Sequence, residues 1–75
     1  MTDYTIYTQA GRACPWCDKA AALLDEKGLD YHRFPLVRDP LLALAAQHKH
    51  DTVPMIFHGE TFIGGYSELV DYLKG

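Results

Sequence analysis

Short apolar runs alternate with longer amphipathic segments along this chain of 75 residues. The first run, Tyr4 to Thr8, is β-branched and aromatic and contains no strand-breaking residue, so it predicts a strand. A helix is predicted to begin at Pro15, which suits the first helical position, and to end at Gly28, which suits a helix stop. Its apolar residues recur at helical spacing: Trp16, Ala20, Leu23 and Leu24.

The next segment repeats the alternation. Residues 29–34 predict a second strand, which we expect Pro35 to end. Asp39-Pro40 is a typical helix start, with Asp39 as N-cap and Pro40 in the first turn. The apolar stripe of this second helix consists of Leu41, Leu44, Ala45 and His48.

The last third of the chain predicts a hairpin and a helix. Residues 53–57 and 60–63 are apolar runs joined by His58-Gly59, a tight-turn pair. After the break at Gly64-Gly65, an apolar stripe marks a short helix: Tyr66, Leu69, Val70 and Leu73.

The predicted order is therefore β-α-β-α-β-β-α, an α/β fold. The first β-α-β unit implies a parallel pair with a right-handed crossover, and the hairpin adds an antiparallel pair. We expect a four-stranded mixed sheet with helices on both faces, and one domain over residues 1–75.

Composition excludes several classes of function. Ten acidic and seven basic residues give a formal charge of −3. The chain therefore lacks the excess of basic residues that is typical of proteins that bind nucleic acid or an anionic membrane. No apolar run approaches the roughly 20 residues of a membrane span, and the N-terminus lacks the regions of a signal peptide. We expect a monomer in the reducing cytoplasm. In that compartment, two cysteines indicate redox chemistry or metal binding more often than a structural disulfide.

Those two cysteines form the motif Cys14-Pro15-Trp16-Cys17 between the first strand and the first helix. If Pro15 is the first helical residue, Cys14 is the N-cap, and its sulfur faces unpaired N–H groups and the positive end of the helix dipole. Thiols in such motifs have pKa values of roughly 3.5 to 7.5, against roughly 8.5 for a free cysteine. Cys14 is the expected nucleophile, and Cys17, one turn into the helix, is the expected resolving thiol.

Zinc binding is the alternative for a pair of cysteines at this spacing. The chain has no second such pair, so histidines would have to complete the site. His48 and His50 are only two positions apart, whereas zinc sites use three to five intervening residues. We therefore expect no metal site.

The chain resembles a dithiol glutaredoxin, a family with the thioredoxin fold. The resemblance is carried by Cys14-Pro15-Trp16-Cys17 after the first strand, by Thr52-Val53-Pro54 before the third, and by Gly64-Gly65 after the fourth. It implies that Val53-Pro54 is a cis peptide beside the active-site sulfur and that Val53 pairs its backbone with the cysteinyl part of glutathione.

The same resemblance implies a complete glutathione site. Backbone N–H groups at the start of the last helix would hold the γ-glutamyl carboxylate. The implied glutathione-binding residues are Arg12, Trp16, His50, Thr52, Val53, Pro54, Gly65, Tyr66 and Ser67.

Four positions depart from the common family pattern or admit two interpretations. Ser67 stands where many relatives carry Asp, which removes a charged contact to the glutathione amine. Arg12 replaces a Lys that is usual nearby as a partner for the glycyl carboxylate. His50 either serves that carboxylate or is a solvated loop residue. Trp16, where Tyr is commoner, either flanks the sulfur or packs partly in the core.

The resemblance implies thiol–disulfide exchange with glutathione as co-substrate and no permanently bound cofactor. The expected partners are glutathione and disulfide-containing proteins, ribonucleotide reductase among them. One alternative is a redoxin that serves ribonucleotide reductase and is reduced by thioredoxin reductase. Another is a dimer that holds an iron–sulfur cluster through Cys14 and glutathione, which Pro15 disfavours because it restricts the backbone there.

Overall fold

A computed structural model describes residues 3–50 and 52–74. The elements follow the predicted order: β1 (Tyr4–Gln9), α1 (Pro15–Glu26), β2 (Tyr31–Leu36), α2 (Arg38–His48), β3 (Met55–His58), β4 (Thr61–Gly64) and α3 (Tyr66–Lys74). None of these helices is long and apolar enough to cross a membrane.

The four strands form one mixed sheet in the order β2-β1-β3-β4. β1 pairs in parallel with β2 and antiparallel with β3, and β3 pairs antiparallel with β4. The predicted crossover pair and the predicted hairpin are both confirmed. β1 is an inner strand of the sheet. The loop that follows its carboxyl end, which carries Cys14, therefore lies near the middle of the row of strand ends and not at an outer strand.

Several predicted element ends differ from the structure by one or two residues; His58, for example, belongs to β3 and not to the turn. Two of these differences have a clear physical reason. Pro35 does not end the second strand but lies inside β2, opposite Thr8. A proline is tolerated there because β2 is an edge strand with an unpaired outer side. The second helix starts at Arg38, so Val37 is its N-cap and Asp39 lies in its first turn, where its charge still suits the helix dipole.

The main core lies between one face of the sheet and the helices α1 and α3. Its fully buried members share the alternating inward positions of the strands and one face of each helix: Ile6, Ala20, Leu24, Ile56 and Leu69. α1 also contacts α3 and β1. This layer fixes the direction of α1, and through it the position of the cysteine pair at the start of the helix.

The opposite face of the sheet is covered more loosely by α2. No residue of α2 is buried, and its predicted apolar stripe is only half-buried. His48 is the main aromatic contact, because its ring stacks on Phe62 with centroids 4.5 Å apart and meets Phe57 edge-on at 5.0 Å. α2 therefore leaves open space between itself and the sheet, next to the loop that carries Cys14.

The buried phenol of Tyr4 on β1 predicts that the protein loses stability at alkaline pH. Tyr4 is 5% exposed, and its ring stacks on that of the half-buried His58 with 4.3 Å between the centroids. Burial raises the pKa of Tyr4 above its ordinary value of 10.0, and the nearby Tyr72 and Asp3 add to the rise. The unfolded chain then loses this proton first, so stability is complete below about pH 10 and falls as pH rises further.

Tyr4→Phe is expected to remove this contribution. Urea unfolding at a series of pH values should show a shallower alkaline loss of unfolding free energy in the variant than in the unsubstituted protein. The comparison at pH 7, where the phenol is neutral in both states, serves as the reference. Parallel curves up to about pH 11 would contradict the assignment to Tyr4.

Candidate active site

The two cysteines lie at the start of α1 and are joined by a disulfide, with 5.2 Å between their Cα atoms. Cys14 is the N-cap of the helix, as predicted, and its sulfur accepts a hydrogen bond from the backbone N–H of Cys17 at 3.1 Å. Cys17 is fully buried, whereas Cys14 is partly exposed. The sulfur of Cys14 is therefore accessible to solvent at the N-terminus of α1, whereas that of Cys17 is buried.

Two aromatic rings border the cysteine pair on the side of α3. Trp16 is 54% exposed, which rules out the interpretation that it packs in the core. Its ring lies 5.7 Å from that of Tyr66, and the ammonium group of Lys19 lies over it at 4.4 Å. The pair of rings forms an apolar wall beside the disulfide, and Lys19 adds positive charge to the outer face.

The loop before β3 forms a second border. Val53-Pro54 is a cis peptide, as predicted, and Pro54 is buried while Val53 is half-buried. On the same loop, the hydroxyl of Thr52 lies 3.3 Å from Nε2 of His50. The predicted groove residues of this loop are therefore held next to the start of α3.

The N-terminus of α3 is capped by a hydrogen bond that the resemblance did not imply. The backbone N–H of Gly65 donates a hydrogen bond to Oε1 of Glu68 at 2.7 Å, and the carbonyl of Gly65 accepts the first bond of the helix from Leu69 at 3.0 Å. This is the reverse half of a capping box. The backbone N–H groups of Tyr66 and Ser67, the next residues, are the first-turn donors that a helix cannot satisfy itself.

Gly64 is required at the end of β4. Its φ of +125° lies where side-chain-bearing residues are rare, and a Cβ there would lie 2.8 Å from Cγ and 2.9 Å from Cβ of Glu68. We expect Gly64→Ala to lower the free energy of unfolding by about 3 kcal/mol, because backbone strain and the collision act together. Thermal and urea unfolding would measure the loss.

Gly59→Ala is the matched control for that substitution. Gly59 also has a positive φ, +62°, but a Cβ there meets no atom within 4 Å. The control should therefore lose only about 1 kcal/mol. Equal losses in the two variants would show that contact with Glu68 contributes nothing.

The predicted binding residues gather around a groove of about 290 Å³. Eight of the nine line it: Trp16, His50, Thr52, Val53, Pro54, Gly65, Tyr66 and Ser67. Glu68 completes the lining. The groove is close to the lower limit of about 300 Å³ for ligand sites, a size suited to a small peptide.

Arg12, the ninth residue, lies on the other side of the loop. It lines a larger cleft of about 540 Å³ that also contains Cys14 and the cleft-facing side of α2. Thr52 and Val53 line both the groove and the cleft, so the two spaces meet along this short stretch of backbone. Arg12 therefore shares the cleft with Thr52 and Val53 and is separated from the other six predicted binding residues, which line the groove alone.

The sequence interpretation missed two sets of residues. Glu68 had a detectable signal, because a glutamate three residues after a helix cap is the pattern of a capping box. Arg38 and Leu42, which line the cleft, had none, because their helix contacts the loop of Cys14 only in the folded protein. Within residues 3–50 and 52–74, no group of three or more metal-ligating side chains occurs.

A helix-capping disulfide with one accessible sulfur, next to a cis-proline loop on this mixed sheet, defines a thiol–disulfide oxidoreductase of the thioredoxin fold. A family model described as the N-terminal domain of glutathione S-transferase matches residues 11–75. The glutaredoxin of Pseudomonas aeruginosa is 39% identical over 71 residues, which cover 92% of this chain and 82% of that protein. The chain belongs to the glutaredoxin family.

Two further comparisons bear on its extent and fold. A hybrid peroxiredoxin of Haemophilus influenzae is 38% identical over 69 residues, 91% of this chain, but the chain spans only 28% of that longer protein. The holo form of glutaredoxin C1 from Populus tremula x tremuloides superposes with a TM-score of 0.82 at 26% identity, covering 97% of this chain and 75% of that one. The predicted fold is thus confirmed.

Proposed function

We propose that this protein is a glutathione-dependent oxidoreductase that reduces protein disulfides and glutathione mixed disulfides through Cys14 and Cys17, and that residues 1–75 form a glutaredoxin domain. The observation that carries the proposal is the groove beside Trp16, in which eight residues expected to bind glutathione come together. The matched family model supports it, since that model is named for an enzyme of glutathione.

The reaction begins at Cys14. In the reduced protein its thiolate is stabilised by the N–H of Cys17 and by the N-terminus of α1. It attacks the glutathione sulfur of a mixed disulfide, and the other thiol leaves as a thiolate. A second glutathione thiolate then attacks the glutathione sulfur bound to Cys14, releasing oxidised glutathione and restoring the Cys14 thiolate.

Protein disulfides require the second cysteine. After Cys14 attacks, the protein remains bound to it through a disulfide. Cys17 then displaces it, forming the internal disulfide, which two glutathione molecules reduce in turn. Because Cys17 is fully buried behind Cys14, it is suited to attack a disulfide on its neighbour and unsuited to meet an external substrate.

Glutathione itself is proposed to lie along the groove as a short extended peptide. Its cysteinyl part pairs with the backbone of Val53, and its γ-glutamyl carboxylate accepts hydrogen bonds from the N–H groups of Tyr66 and Ser67 at the start of α3. The carboxylate of Glu68 caps the same helix end and opposes a second negative charge there. Arg12 is proposed to reach the glycyl carboxylate from the adjoining cleft.

The decisive experiment identifies the electron donor. Purified protein is given a mixed disulfide of glutathione and 2-mercaptoethanol, with either glutathione and glutathione reductase or thioredoxin reductase, and NADPH consumption is followed. We expect turnover only with glutathione. Turnover only with thioredoxin reductase would support the redoxin alternative and refute the glutathione proposal.

The same preparation addresses the remaining partners. Protein purified without oxygen is expected to be colourless, because Pro15 restricts the backbone where a cluster ligand would have to move. Visible absorbance that is lost with iron would instead support the cluster-binding dimer. Ribonucleotide reductase is one disulfide substrate that we propose, and the cytoplasm is the proposed compartment.

A further inference from the structure

An ion pair joins the edge strand β2 to the helix that carries the cysteines. Nη2 of Arg33 lies 3.0 Å from Oδ1 of Asp18, the residue directly after Cys17. It is the one ion pair within 4.0 Å in the part of the chain that the structure describes. Arg33 pairs with Ile6 in the sheet, so its side chain lies on the face that α1 covers and can reach that helix.

Asp18 places a negative charge close to the attacking sulfur. Its backbone N–H donates a hydrogen bond to the carbonyl of Cys14 at 3.1 Å, so Asp18 lies one helical turn from that cysteine. A carboxylate at this position opposes a thiolate on Cys14, because like charges repel. It therefore works against the helix N-terminus and the N–H of Cys17, which stabilise the thiolate.

The ion pair changes that local charge more than it changes the stability of the fold. The side chains of Arg33 and Asp18 are 40% and 69% exposed, and pairs as exposed as this contribute little to the free energy of unfolding. The guanidinium group, however, neutralises the carboxylate and holds it toward β2. Without Arg33, the full negative charge of Asp18 would act on Cys14.

Other charged side chains near Cys14 do not take over this role. Lys19 lies over the ring of Trp16, and no basic side chain among residues 3–50 and 52–74 other than Arg33 comes within 4.0 Å of the Asp18 carboxylate. The remaining titratable or charged groups border the cleft or the groove beside the cysteines: Arg12, Arg38, His50 and Glu68. Arg33 is thus the cation that the fold brings to Asp18.

We propose that Arg33 is a positioning residue of the exchange reaction, which holds and neutralises the carboxylate of Asp18 so that the Cys14 thiolate remains available for attack. The inference deepens the proposed function and rests on it in taking Cys14 as the attacking sulfur. It gives a role in the reaction to an exposed residue of an edge strand that contacts neither the cysteines nor the glutathione groove.

The test measures the reactivity of Cys14 without any disulfide substrate. Reduced Cys17→Ser protein is alkylated with iodoacetamide at low salt over a range of about pH 3.5 to 9. The Cys14 thiolate attacks the methylene carbon, a thioether forms and iodide leaves. Arg33→Gln in this background is expected to react about threefold more slowly on the acidic side of the titration, because less of the thiol is ionised, and equally fast on the alkaline plateau.

Three further variants separate the charge of Asp18 from the rest of α1. Asp18→Asn should react about twofold faster on the acidic side, and the double variant Asp18→Asn/Arg33→Gln should return to the parent curve, because neither charge remains. Arg33→Lys keeps the charge and should retain most of the reactivity. The matched control is Asp25→Asn, because Asp25 also contacts β2, accepting a hydrogen bond from Tyr31 at 3.0 Å, but lies about 10 Å further along α1.

Four results would overturn the proposal. They are a pH curve of Arg33→Gln that superimposes on that of its Cys17→Ser parent, a uniform loss that includes the alkaline plateau, an equal shift in Asp25→Asn, and a difference that persists in about 1 M salt, where charges are screened beyond roughly 3 Å. The second result would indicate a structural role.

Failure of the proposed function would give a different result. If Cys14 were not the activated nucleophile, the parent and every variant would titrate like an ordinary thiol, at roughly pH 8.5. That outcome would refute the assignment of Cys14 and the role of Arg33 together. Because alkylation involves no glutathione, the effect of Arg33 can be measured even if the proposed electron donor is wrong.

Discussion

Cys14→Ser is expected to reduce thiol–disulfide exchange to the uncatalysed background, a loss of at least about a thousandfold. Cys14 is the accessible sulfur at the N-terminus of α1, and Cys17, which is fully buried, cannot replace it. The serine hydroxyl can still accept the hydrogen bond that Cys17 donates, because serine is a favoured N-cap. Activity should therefore vanish while α1 remains intact.

Cys17→Ser is the matched variant, and its expected result differs. Reduction of a glutathione mixed disulfide should stay within about threefold of the unsubstituted protein, because glutathione can resolve that intermediate directly. Reduction of a protein disulfide should fall sharply, because the intramolecular displacement is lost.

Assays of both substrates, with circular dichroism of the reduced proteins as the folding control, would test this division of roles. Residual exchange by Cys14→Ser comparable to that of Cys17→Ser would reassign the nucleophile. Equal loss of both reactions in Cys17→Ser would show that the buried sulfur is needed for every step.

Leu24→Ala is expected to cost about 3 kcal/mol of unfolding free energy, within the range found for leucine in closed cores. Leu24 is fully buried on α1 and packs in the cluster that contains Ile6 and Leu69. A domain of 75 residues has a total stability of only about 4 to 11 kcal/mol. This one side chain therefore contributes a large share of the free energy of unfolding.

The control is Leu42→Ala, the same change on a helix residue that is 54% exposed. It should cost less than about 0.5 kcal/mol. Urea unfolding of the two variants measures both values. A small loss of unfolding free energy in Leu24→Ala would mean that the core between the sheet, α1 and α3 relaxes to fill the cavity left by the leucine side chain.

Much of this molecule can be predicted from local chemistry. The motif Cys14-Pro15-Trp16-Cys17 carries its own helix start, because proline suits the first helical turn and cysteine can cap it, and the structure shows that cap. The strand and helix order follows from the two periodicities of apolar residues, whereas several element ends lie one or two residues from their predicted positions. Pro35 by its residue type indicates a strand end, because its position in an edge strand is not visible in the local sequence.

The surroundings of Cys14 depend on the tertiary structure. Sheet topology brings the loop of Val53 and the start of α3 to the cysteine pair, and places Trp16 against Tyr66 and not in the core. The sequence predicts a redox pair from the cysteine motif and, through the family resemblance, the residues proposed to bind glutathione. Packing of α2 decides that Arg12 and Arg38 share a separate cleft with Cys14, since contacts between residues distant in sequence form only when the sheet and helices are assembled.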